Sequence, residues 1–118
     1  VTFNISNPQY PNSPYYMSGA FGTSPGMPLS DGRIIPLNND WLLNALLFVP
    51  QLFGLNNNIG LLDSQGNAQV IWNLPSNLYF GALGANTQLY FSFATVDNSL
   101  QGDQAITSIA PAVNITLQ

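Results

Sequence analysis

The chain has 118 residues, a net charge of −4 and only 5 % charged side chains, against about 25 % in an ordinary soluble domain. Arg33 is the lone cation, Asp31, Asp40, Asp63, Asp97 and Asp103 are the anions, and Lys, Glu, His and Cys are absent. That inventory excludes phosphate neutralisation along a nucleic acid, zinc, haem or iron–sulfur ligation of the usual kinds, and nucleophiles that depend on His.

Binding to anionic membranes is disfavoured for the same want of cations. No cofactor is expected. Asn, Gln, Ser and Thr carry the solubility, and the apolar content of 46 % is ample for one core. A neutral, amide-rich surface points outside the cell. Because the chain starts at Val1 rather than Met, a leader removed before Val1 is expected. The longest apolar stretch, Trp41 to Val49, is broken by Asn44 and stopped by Pro50. It falls far short of the ~20 residues of a spanning helix, so membrane insertion is not expected.

In chain order, VTFNIS alternates: Val1, Phe3 and Ile5 face one side, and Thr2, Asn4 and Ser6 the other. This is the pattern of a half-buried strand. Residues 7–32 read as Pro-, Gly- and Asn-rich connections, with a short strand at most over Met17–Gly22. Arg33–Asn38 reads as an edge strand interrupted by Pro36. Asp40–Val49 is ambiguous, because an all-apolar run has no periodicity to decide it. Asp40 suits a helix cap, whereas the surrounding spacing favours a strand, which is the reading adopted here.

Ile59–Leu62 and Ala68–Leu74 are strand-like runs joined by Asp-Ser-Gln-Gly-Asn. Gln88–Val96 is aromatic and β-branched and is expected to be the central strand. Ala112–Leu117 closes the sequence with Val113, Ile115 and Leu117 on one face. The spacing predicts an all-β chain, a single antiparallel β-sandwich over residues 1–118 with about seven or eight short strands, Ig-like or jelly-roll-like.

The strings IIPLNNDWLL, GLLDSQGNAQVIWNLP, LYFSFATVD and AVNITL together resemble a small secreted β-domain common in planctomycete and myxobacterial surface proteins. Its marks are a Pro-Leu-Asn segment, a Gly-Leu-Asp-x-x-Gly-x-Ala hairpin, a Leu-Pro stop and an aromatic strand ending in Asp. The resemblance spans Arg33 to Gln118 and implies a β-sandwich without assigned catalytic residues.

Asp63, followed by Ser64, Gln65, Gly66 and Asn67, has the look of a calcium loop but lacks the distal Glu. A turn in which Asp63 bonds the backbone and Gly66 takes positive φ is the stronger reading. Asp63 and Asp97 both end strands and are the remaining pair for acid/base chemistry, yet both sit where turns want Asp. An enzyme is not expected. Tyr10, Tyr15 and Tyr16 form a candidate glycan platform, with Trp41, Trp72 and Tyr79 as further aromatics; alternation with Val70 puts Trp72 in the core. Sequons mark Asn4 and Asn114 as candidate glycosylation sites on the polar faces of their strands.

Sheet edges are normally guarded by charge, and the strands at both ends of this sequence have none. The function expected is therefore a structural subunit of an extracellular filament or surface layer, built by β-strand addition or donor-strand exchange between copies of the chain. Val1, Phe3 and Ile5 would be the inserted knobs, received between Gln88–Val96 and Ala112–Leu117. The competing readings are pairing of the first strand within its own sandwich, and a secreted carbohydrate-binding or adhesion module.

Overall fold

The computed structural model describes residues 1–73 and 88–116. Four sequence expectations, on Leu74, Pro75, Tyr79 and Leu117, lie outside the described residues. The fold is an antiparallel β-sandwich carrying, among the described residues, one α-helix. One sheet has the order β1–β7–β5, formed by Thr2–Ser6, Asn67–Trp72 and Leu55–Asn56. The other has the order β10–β8–β2–β6, formed by Val113–Thr116, Gln88–Val96, Pro14–Ala20 and Ile59–Leu61. β9 (Ile106–Ile109) pairs with the second half of β8, beyond the stretch that holds β10.

Alternation explains the core. Phe3 and Ile5 of β1 and Val70 and Trp72 of β7 point from the first sheet onto Tyr15 and Met17 of β2 and Leu89 and Phe91 of β8. Phe91 is the centre of this layer: its ring lies 4.8 Å from that of Phe3 and 5.3 Å from that of Trp72. β8 is flanked by β2 on one side and by β9 and β10 on the other, the central place that its aromatic and β-branched content predicts.

Two expectations are corrected. Residues 7–32 are not all connection, because β2 within them is an inner strand bonded to both β6 and β8. Pro14 disguises it, yet proline is tolerated at a strand's first residue. Gly19 disguises it further and is required there, since a Cβ would stand 2.7 Å from Cε1 of the Phe91 ring. The second correction concerns the apolar run, which is the helix α1, Trp41–Phe48, and not a strand. Asp40 caps it, one carboxylate oxygen accepting from Leu43 N at 2.9 Å and the other from Phe21 N at 2.8 Å. Leu42, Leu43 and Leu46 make the buried stripe. No β-branched residue falls within α1, and Val49 and Pro50 end it.

α1 packs beside β2, with Leu42 and Leu46 entering the main core and Leu43 and Leu47 turned to the outer face of the second sheet, where the hairpin of β3 (Met27–Pro28) with β4 (Ile34–Ile35) also lies. There Leu43 of the helix packs with Ala20 and Leu37 in a second, smaller core. The helix is short, so its cap weighs heavily. Asp40→Ala is expected to lower stability by about 1–2 kcal/mol, while Asp40→Asn, whose single amide oxygen can accept from Leu43 N or from Phe21 N but not from both, should recover only part of that loss. Urea denaturation of the two variants measures the difference. Among the described residues no helix is long and apolar enough to cross a membrane.

Candidate functional site

The site begins with β1. Val1 N donates to Trp72 O at 2.9 Å and Trp72 N donates to Val1 O at 2.8 Å, so Val1 and Trp72 are a hydrogen-bonded pair. Antiparallel ladders alternate, which makes Phe3–Val70 and Ile5–Ala68 the next bonded pairs in the observed register. The backbone N–H and C=O groups of Thr2, Asn4 and Ser6 therefore face away from β7, along an open sheet edge. No Lys or Glu guards that edge, for the sequence contains neither.

Phe3 and Ile5 are buried in the chain's own sandwich, and Val1 is exposed. This corrects the expected receptor for them. β8 and β10 pair directly, Phe91 opposite Val113 and Leu89 opposite Ile115, and leave no slot between them. The place that receives Phe3 and Ile5 is beside β7. Next to β1 the sandwich is open, with a groove of about 430 Å³ between Phe3 and Ile5 on one wall and Phe93, Val113 and Ile115 on the other.

The candidate glycosylation residues are both exposed. Asn4 Oδ1 accepts from Gln69 Nε2 at 3.0 Å on the outer face of the first sheet. Asn114 Nδ2 donates to Gln88 Oε1 at 3.2 Å on β10.

The tyrosine platform does not form as expected. Tyr15 and Tyr16 are neighbours on β2 and so point to opposite faces. Tyr15 is fully buried, its hydroxyl donating to Asn57 O at 2.5 Å. Tyr16 is 44 % exposed on the outer face. Tyr10 is half-buried in the turn after β1, where its N–H donates to Asn7 O at 3.0 Å. Trp72 is core, as its alternation predicts, with Nε1 donating to Phe53 O at 3.0 Å. Trp41 is 54 % exposed, with the rings of Phe21 and Phe53 5.2 and 6.3 Å away. This aromatic surface depends on the helix and on long-range packing, and no local sequence signal marks it.

The Asp63 loop is a corner. Asp63 Oδ1 accepts from both Gln65 N and Asn67 N at 2.9 Å, and Gly66 adopts φ +83°. β6 pairs with β2 and β7 with β1, so the loop carries the chain from one sheet to the other rather than closing a hairpin between them. Gly66 is also fixed by packing, since a Cβ there would collide with Asn7 O.

The other acidic groups are likewise engaged locally. Asp97 Oδ1 accepts from Ser99 N and Oγ. Asp103 Oδ2 accepts from Ser30 N at 2.6 Å. Arg33 pairs with Asp31 at 2.8 Å, the one salt bridge among the described residues, and also donates to Asp103 O. Among the described residues no group of acidic side chains is placed to hold a metal ion.

Hydrogen bonds from Asn67 and Gln65 hold the Asp63 carboxyl below its ordinary pKa of 3.8. Those from Ser99 and Ser30 do the same for Asp97 and Asp103. Burial pushes the Tyr15 hydroxyl above its ordinary 10.0. Depressed carboxylates contribute stability that is present above the unfolded value and lost as pH falls through the folded one. A raised tyrosine contributes stability that is lost as pH rises past its unfolded value. The unfolding midpoint is therefore expected to be flat from about pH 5 to about pH 9 and to fall on either side. Thermal melts across that range would expose any step near neutrality.

No protein-family model, curated protein or solved structure matches the chain.

Proposed function

We propose that this chain is a structural subunit of an extracellular filament or surface layer, in which β1 of one copy completes the first sheet of its neighbour. The observation that carries the reading is β1 itself. It is an uncharged edge strand that supplies Phe3 and Ile5 to the core and leads into a connection rich in Pro and Asn, residues 7–13. The surface beside β7 that receives those side chains is the same whether β1 comes from its own chain or from another. Exchange therefore replaces contacts one for one, and protein concentration with the freedom of the 7–13 connection sets the balance. An uncharged partner edge adds no repulsion when copies approach. Donation from each copy to the next is a heterologous contact, which extends as an open polymer.

The absence of cysteine allows a clean test. Asn4 and Gln69 are directly opposite in the ladder, in a non-hydrogen-bonded pair with exposed side chains. The spacing of such a pair suits a disulfide. The double variant Asn4→Cys, Gln69→Cys, oxidised after assembly, is expected to run as a ladder of covalent multimers on a non-reducing gel, with filaments in electron micrographs of the parent protein. A product that is wholly internally bridged monomer at every concentration would overturn the exchange.

A second reading, a carbohydrate-binding or adhesion module, is favoured by the exposed Trp41 side chain beside Phe21 and Phe53. The exposed part of this cluster offers apolar contact to a sugar, and exposed amides such as Asn39 and Asn44 supply hydrogen bonds beside it. Saturable retention on an insoluble polysaccharide, lost in Trp41→Ala, is the result this reading requires.

A further inference from the structure

We infer that the outer face of the second sheet holds a binding site for an uncharged, mostly apolar small molecule bearing a single hydroxyl or carbonyl group. This inference is independent of the assembly reading, since the site lies on the opposite side of the second sheet from β1. It rests on a cavity of about 350 Å³ between that sheet, α1 and the β3–β4 hairpin.

The cavity exists because its floor is built from small residues. Ser18 on β2 lies opposite Ser92 on β8, and Tyr16 lies opposite Ala94, all four on the outer face. Toward the Ala20 end, Leu37 and Leu43 fill the space over the sheet. Past that end the floor is small, with Ser18 on β2 and Ser92 and Ala94 on β8, while the walls continue. Leu47 and Phe48 of α1 stand on one side, Met27 and Ile35 of the hairpin on another, and Ile106 and Ile109 of β9 on a third.

The polar groups show which chemistry fits. The lining has no charged residue. Both floor hydroxyls are already engaged: Ser18 Oγ donates to Leu43 O at 3.1 Å and Ser92 Oγ donates to Ala110 O at 2.7 Å. Each has thereby used its donor and offers an occupant only acceptor lone pairs. Tyr16 is the exception. It stands at the mouth, and among the described residues its hydroxyl has no partner. An apolar body in the cavity with one hydrogen-bonding group at Tyr16 satisfies every surface the site presents.

A charged headgroup gains nothing from this lining, and a polar solute would leave its own groups unpaired. Apolar cavities of about 150 Å³ stay dry and take up benzene, so a space of about 350 Å³ scales to about fourteen non-hydrogen atoms. That is the bulk of a medium-length alcohol or a small terpenoid. Phe48 at the mouth is 79 % exposed and Ile59 48 %, an arrangement that covers an occupant without closing over it.

The test is titration of the full chain with 1-dodecanol, read by displacement of the neutral dye Nile red and by calorimetry. Saturable binding of one molecule per chain is expected. Ala94→Phe, which fills the floor, should weaken it by at least about tenfold. Tyr16→Phe removes only the mouth hydroxyl and should weaken dodecanol several-fold, roughly the worth of one hydrogen bond, while leaving dodecane unchanged. Circular dichroism confirms that each variant is folded, and Tyr16→Phe loses no internal bond. Non-saturable uptake, or affinity indifferent to both variants, would overturn the proposal. So would dye binding that disappears as sedimentation shows copies pairing through this face, which would give the cavity to a second copy instead.

Discussion

Removal of Val1–Ser6 is expected to abolish assembly and to leave a monomer close to the limit of folding. The deletion strips Phe3 and Ile5 from the main core and uncovers Phe91 and Val70. Burying two such side chains is worth about 3–6 kcal/mol, against a total of about 5–15 kcal/mol for a domain. The loss is therefore large yet within what the fold can absorb. A peptide of sequence Val-Thr-Phe-Asn-Ile-Ser added in trans is expected to restore stability, because it can rebuild the register from Thr2 opposite Ile71 to Ser6 opposite Asn67. A peptide with Asp at the Phe and Ile positions should not. Urea titration with and without peptide measures the first effect, and electron microscopy the second. If the shortened chain still polymerises as the parent does, the β1 exchange is wrong.

Phe91→Ala is expected to be the most damaging single substitution, costing about 3–5 kcal/mol. Its ring fills the gap between the sheets, touching Phe3 and Trp72, and it occupies the space that Gly19 leaves free. That last contact gives a sharper measurement. Gly19→Ala in the parent forces a Cβ into a ring buried on every side and should cost about 1–3 kcal/mol. In a Phe91→Leu background most of that cost should disappear, because the ring atoms that clash are gone. A double-mutant cycle reads the coupling directly, and strictly additive effects would show that the ring moves aside.

Much of the sandwich was legible in single segments. The alternation of Phe3 and Ile5, the run from Gln88 to Val96, and Val70 with Trp72 each declare a strand with one buried face, and each is a strand whose apolar face is buried. The Asp63–Asn67 corner was legible as well, since an Asp that bonds its own backbone and a glycine at positive φ are local requirements. The site was less so. Tyr15 and Tyr16 look equivalent in sequence, and their fate depended on recognising β2 behind Pro14 and Gly19.

Composition and short-range pattern by themselves determined the class of fold, the near absence of acid/base and metal-binding groups, and which side of most strands turns inward. Those properties depend on residues a few positions apart, where pleat geometry acts directly. The tertiary structure decided the rest. It made Trp41–Phe48 a helix, through a cap that also binds Phe21 far away in sequence. It paired β1 with β7 instead of placing it between β8 and β10. It left a cavity over Ser18, Ser92 and Ala94. Each of these outcomes rests on contacts between segments tens of residues apart, and an edge strand or an all-apolar run takes its partner from whichever distant surface buries it best.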